Sequence, residues 1–208
     1  MNRKLLLLSV LVVLLYGCLS CQDPIDNRIK FNNERISRES RIVERLIDIR
    51  NAEVFYKQAK GCYTDNFDTL ICFCKNNEIP VVRLKPDLVD TTYVVIYDTA
   101  GYISVVDSIA GKRTEFDIEA IRFVPYGESN TQFELNAGFI DRRGISVPVF
   151  EAKTPYESYM KNPPSFYSSK EWNNQLKELM NSGSRYNGLK VGSMEEASID
   201  GNWETLNR

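Results

Sequence analysis

Ser158-Tyr159-Met160-Lys161 has the spacing of a serine nucleophile with a lysine placed to take its proton. The pattern is short, and the further motifs that accompany it in penicillin-recognising enzymes are missing. No histidine occurs in the 208 residues, which removes Ser-His-Asp and Cys-His nucleophile systems and histidine general bases. Asp117 with Glu119, and Glu195 with Glu196, pair carboxylates along the chain, but acid-base catalysis needs carboxyl groups opposed across a cleft. Such close neighbours read as solvated surface.

Asp65, Asn66 and Asp68 offer the oxygen ligands that calcium takes, yet the same residue types cap helices, and capping is the simpler reading. Past the N-terminal segment the cysteines are Cys62, Cys72 and Cys74, and without histidine they cannot complete a four-ligand structural zinc site. One disulfide from Cys62 to Cys72 or Cys74 stands against the plainer reading of small apolar core residues. No glycine-rich phosphate loop is present. Neither an enzyme, nor a cofactor, nor a metal centre is expected.

Charge narrows the partners. Residues 23–60 hold nine Lys/Arg against seven Asp/Glu, whereas residues 61–208 hold fifteen against twenty-one. The larger part is mildly acidic and lacks the basic face that nucleic-acid binding uses, so no nucleic-acid partner is expected.

The elements that must position these residues begin with an apolar run from Leu5 to about Leu19, headed by Arg3 and Lys4. Basic residues before a short apolar segment hold the amino end in the cytoplasm and place everything after residue 22 outside it. Three readings compete: an uncleaved membrane anchor, a lipoprotein signal, or a secretory signal removed altogether. Leu15-Tyr16-Gly17-Cys18 has the form of a lipobox and makes Cys18 the candidate lipidation site.

From Asp26 to about Lys60, Ile29, Ile36, Val43, Leu46, Ile47, Val54 and Phe55 recur at intervals that keep one stripe on a helix. Glu34 with Arg38, and Glu53 with Lys57, are correctly ordered i,i+4 pairs for an exposed face. The first half is polar and predicts a projecting stalk over 23–41; the second half is apolar enough to pack on a sheet. Ile29, Ile36 and Val43, seven apart, form a candidate surface for pairing with another helix.

Gly61 predicts the helix stop, and Thr64 or Asp65 the cap of a short helix through Phe67, Leu70, Ile71 and Phe73. β-type runs follow at 81–84, 92–97, 102–109, 120–124, 133–140 and 145–152. Asp98-Thr99-Ala100-Gly101 and Asp141-Arg142-Arg143-Gly144 read as hairpin connections of an antiparallel meander. Tyr93, Tyr97, Phe123 and Phe133 read as strand aromatics packed within the sheet. Ser168-Ser169-Lys170-Glu171 predicts a capping box before a helix carrying Trp172, Leu176, Leu179 and Met180, and Ser193-Met194-Glu195-Glu196 a second before a very short helix.

A membrane helix continuing as an amphipathic spine, Gly61, Tyr63, Phe67 and Leu70 at its end, and an antiparallel sheet beyond resemble type IV pilins and pseudopilins. The chain departs from them in having no short leader ending in glycine and no glutamate in the apolar segment. A second resemblance is to an uncharacterised group of membrane-anchored proteins common in Bacteroidota. It rests on Val43–Arg50, Gly61–Ile71, Val147–Lys153, Gly188–Ser193 and Gly201–Glu204. That likeness implies a hydrophobic anchor and no particular activity.

The expectation is therefore an α+β chain, with a long N-terminal membrane-anchored helix packed on a pilin-like antiparallel sheet and short C-terminal helices. Its parts are an anchor or signal over 1–22, a stalk over 23–41, a pilin-like domain over 42–155 and a C-terminal extension over 156–208. The expected role is a structural or protein-interaction module of the cell envelope, meeting the membrane through its N-terminus and envelope proteins or its own copies through the helix. An outer-membrane lipoprotein binding a small ligand or glycan is the alternative.

Overall fold

The computed structural model describes residues 23–89, 92–183 and 186–204, so the expected anchor over 1–22 and Cys18 lie outside the described residues. The architecture is α+β. Helix α1 (Asp23–Lys60) leads to α2 (Phe67–Asn76), strands β1 (Glu78–Val89) and β2 (Thr92–Ser104), α3 (Val105–Ala110) and a 3-10 turn (Ile118–Arg122). Strands β3 (Glu134–Arg142) and β4 (Ile145–Pro155), helices α4 (Tyr156–Met160) and α5 (Ser169–Met180), and β5 (Gly188–Gly192) complete it.

The single meander resolves into two antiparallel sheets, β1-β2 and β3-β4-β5. The Asp141–Gly144 hairpin forms as its sequence predicts, with the Gly144 N–H donating to Asp141 Oδ1 at 2.9 Å. The Asp98–Gly101 turn does not form. Those residues lie inside β2, where Val81 pairs with Gly101 and Val82 with Thr99, leaving Ala100 as a bulge. The run 102–109, read as strand, turns helical from Val105 because Ser104 Oγ accepts the Asp107 N–H at 3.0 Å and caps the turn. Residues 120–124 likewise give way to the 3-10 turn, capped by Asp117.

β5 escaped the sequence reading because it is five residues long and bounded by glycines that read as loop. Gly188 is required there: a Cβ would stand 2.2 Å from the Thr154 carbonyl oxygen of the paired strand. The outer edge of β5 is covered by the chain end, with Gly192 N–H donating to Asp200 O and Asn202 N–H to Lys190 O.

Helix α1 runs through the centre, and Phe31, Arg38, Ile42, Leu46, Ile49 and Glu53 form its buried stripe. Of the expected stripe, Leu46 is fully buried and Val43 and Phe55 pack against the core, whereas its first members do not. Ile29 and Ile36 are 52 % and 58 % exposed, while Val43 is half-buried against the core, so the seven-residue spacing leaves the core toward the start of α1. The stretch expected as a free stalk is also covered. Phe31 packs edge-on against Trp172 of α5 with ring centroids 4.8 Å apart, and the Tyr167 hydroxyl donates to Asn27 O at 2.7 Å.

Gly61, at φ +80°, ends α1 by donating its N–H to Lys57 O. Asn66, rather than Thr64 or Asp65, caps α2 by accepting the Thr69 N–H at 3.0 Å. Ser168 begins α5 without a side-chain cap bond. Ser193 Oγ accepts from Glu195 and Glu196 N–H, but this closes a turn and no helix follows among the described residues.

Candidate functional site

A groove of about 600 Å³ lies between one side of α1 and the segment from Arg113 to Tyr126. Its α1 wall carries Arg41, Glu44, Arg45 and Asp48, which helical spacing of three and four residues sets on one face. The facing wall supplies Arg113, Phe116, Asp117 and Tyr126.

Arg113 is fully engaged. Its two terminal nitrogens donate to the buried Asp48 carboxylate at 3.0 and 2.7 Å, to Glu44 at 3.3 Å and to Ile109 O at 2.7 Å, and its Nε donates to Ala110 O. The fork fits a carboxylate as only a planar guanidinium does. The Asp48 hydrogen bond raises the Arg113 pKa above its ordinary value, and the Phe116 ring lies 4.7 Å from the guanidinium carbon. Asp48 and Glu44 thus share Arg113, and Glu44 also meets Arg41 at 3.4 Å.

Arg45 differs. It is half-buried in the same groove, and among the described residues no hydrogen bond or ion pair engages its guanidinium. Burial pulls its pKa down while Asp48 and Glu44 push it back up. A partly desolvated cation with open donors, in a groove that Phe116 and Tyr126 also line, is chemically suited to oxygen atoms of a ligand.

Other residues weighed from sequence hold structural posts. Lys161 Nζ pairs with Glu128 Oε1 at 2.7 Å, and that bond raises its pKa, the opposite of what a base for Ser158 needs. Asp117 caps the 3-10 turn, Glu119 pairs with Lys75 at 2.6 Å, and Asp68 pairs with Arg122 at 2.7 Å. Cys62, Cys72 and Cys74 are free thiols; Cys74 alone is buried, and burial pushes it up to about 12. Phe133 is buried, while Phe123 is 38 % exposed.

Glu53 was read as an exposed partner of Lys57. It is instead wholly buried, with Oε2 accepting the Thr64 N–H at 3.1 Å and Oε1 lacking a partner, and burial pushes its pKa up to about 8. Lys57 turns to Tyr63, its Nζ 4.9 Å from the ring centroid.

The ribbon β1-β2 is the second feature that sequence reasoning underrated. At its base Ile79 packs against the core while Tyr102 is 70 % exposed. Beyond the bulge the register joins Val82 with Thr99, Leu84 with Tyr97, Pro86 with Val95 and Leu88 with Tyr93, eight uncharged residues at positions of one face. Arg83, Lys85, Asp87 and Asp98 fall at positions of the other. Among the described residues no third strand joins either edge.

Of the Ile29–Ile36–Val43 surface, the two isoleucines are exposed and Val43 is half-buried. Among the described residues no helix is long and apolar enough to cross a membrane. Compared with protein-family models, curated proteins and solved structures, the chain matches none.

Proposed function

We propose that the chain is an interaction module of the cell envelope, tethered at its N-terminus, without catalytic activity, that meets its partner through the β1-β2 ribbon. The tether rests on Arg3, Lys4 and the apolar run from Leu5 to Leu19, after which α1 begins at Asp23. An uncleaved segment or an acylated Cys18 would each serve as tether. Helix α1 would then set the body against the membrane, and a long helix beside an antiparallel sheet supports the likeness to pilins.

The observation that carries the reading is the ribbon. It spans 27 residues, Glu78 to Ser104, meets the core at its base through Ile79, and leaves both outer edges unpaired among the described residues. A two-stranded ribbon alone is marginal in water, and an uncovered edge is a template for another strand. A partner that adds a strand supplies what the ribbon lacks.

The test replaces Tyr93 with a photo-crosslinking amino acid in cells, followed by membrane fractionation and intact mass of the detergent-extracted chain. A membrane-bound chain giving a discrete adduct supports the reading, and its mass tells an intact anchor from an acylated Cys18. A freely soluble chain, or irradiation without any adduct, would refute it.

The second reading, a ligand-binding protein, is favoured by Arg45 and its groove. A panel of glycan and peptide fragments should then raise the melting temperature, and Arg45→Gln should abolish that rise.

A further inference from the structure

We infer that the open edge of β2 pairs with β2 of a second copy, forming a closed two-fold dimer centred on Val95. The inference rests on the ribbon being the docking element proposed above, and it names the partner.

Two prolines decide which edge is free. Pro80 and Pro86 lie in β1, paired with Tyr102 and Val95. A proline has no N–H to donate, so within a ladder it occupies only a position whose backbone faces away from the neighbouring strand. Pro80 and Pro86 are six residues apart, and the bulge lies on β2, so the alternation along β1 is unbroken. Both therefore fall at outward positions of β1, and that edge lacks a donor at each of them, while Val82 and Leu84 between them keep theirs. By the same alternation Tyr93, Val95 and Tyr97 direct their N–H and C=O groups outward from β2, where no proline intervenes.

The sequence of that edge is nearly its own mirror. In Thr92-Tyr93-Val94-Val95-Ile96-Tyr97-Asp98, residues equidistant from Val95 are Val94 and Ile96, Tyr93 and Tyr97, and Thr92 and Asp98. Antiparallel pairing with a second copy about Val95 sets each of these against its counterpart, with no like charges opposed. An axis at Asp98 would oppose two aspartates. Axes at Tyr93 or Tyr97 carry the ladder off the strand end at Thr92 or into the bulge at Ala100. Val95 gives the longest flat, charge-compatible ladder. Aromatic and β-branched cross-strand pairs are the favourable ones in sheets.

Closure follows from the two missing donors on the β1 edge. Pairing β2 with β1 of the next copy would repeat without end, and the prolines of β1 oppose it; pairing β2 with β2 is isologous and stops at two. The product, β1-β2-β2-β1, has the strand number that an isolated ribbon lacks.

The test uses the purified full chain. Sedimentation equilibrium should give a dimer, Val95→Lys should shift it to monomer, and Val95→Cys should form an intermolecular disulfide that Val94→Cys and the parent thiols do not. The disulfide is expected because hydrogen-bonded antiparallel partners have Cα atoms about 5.5 Å apart, within disulfide range. A monomer at every concentration, a dimer indifferent to Val95→Lys, or equal cross-linking at both cysteine positions would overturn the inference. If the purified chain is monomeric while the cellular adduct contains another protein, the interaction module stands and the homodimer falls; if neither forms, both fall.

Discussion

Arg38 and Trp172, far apart in the chain, lock the first half of α1 to the C-terminal helices. The guanidinium carbon of Arg38 lies 5.2 Å from the Trp172 ring and 5.4 Å from that of Tyr126. Its nitrogens donate to Glu34 Oε1 at 2.7 Å, Tyr159 O at 2.8 Å and Asn162 O at 2.9 Å. Trp172 Nε1 donates to Met160 O, so the turn after α4 is held from both sides.

Arg38→Ala leaves two carbonyls and a carboxylate without their shared donor, and should cost about 3 kcal/mol. Arg38→Lys should recover only part, because an ammonium cannot span the same fork or stack between two rings. Urea unfolding reads both, and a loss below about 0.5 kcal/mol for the alanine variant would place this contact among ordinary surface pairs.

Glu53 predicts how stability follows pH. Its carboxyl is raised by burial from 4.5 to about 8 in the folded chain. Below pH 4.5 both folded and unfolded states hold the proton. Between there and about pH 8 only the folded state keeps it, so this group's stabilisation is lost as pH rises. The slope approaches about 1.4 kcal/mol per pH unit. Glu53→Gln should flatten that part of the profile in chemical denaturation from pH 5 to 8; an unchanged slope would rule Glu53 out as its source.

Asp48 depends on Arg113. Arg113→Met strands a buried carboxylate and should destabilise by about 2 kcal/mol, whereas Asp48→Leu combined with Arg113→Met should cost less than Arg113→Met alone. A double-mutant cycle measures the difference, and strictly additive losses would show the two residues to be independent.

Pro86 guards the β1 edge. Pro86→Thr restores an outward N–H and should convert a soluble species into one that grows with concentration, followed by light scattering. Unaltered scattering would mean that some other feature protects that edge.

The signals legible in the sequence were local ones. Gly61 stops α1 because a left-handed residue ends a helix, and Asp141–Gly144 turns back because short polar turn residues close a hairpin. Misreadings arose where a signal has two outcomes. A run such as Tyr102–Ile109 serves strand or helix equally, and the Ser104 cap tipped Val105–Ala110 to helix. At Asp98–Gly101 the turn residues serve a bulge instead. The groove was not legible, since it joins α1 to a segment some seventy residues later.

By itself the sequence determined that the chain is α+β, that a long helix precedes antiparallel strands, and that histidine chemistry is absent. Those follow from periodicity, turn residues and composition, which act over a few residues at a time. Only the tertiary structure decided which face of α1 is buried. Ile29 and Ile36 lost that place to Phe31 and Arg38 because Trp172 and the carbonyls of Tyr159 and Asn162 offered those two a ring and acceptors. A helix periodicity presents several apolar stripes, and the choice among them belongs to whatever the rest of the chain brings against them.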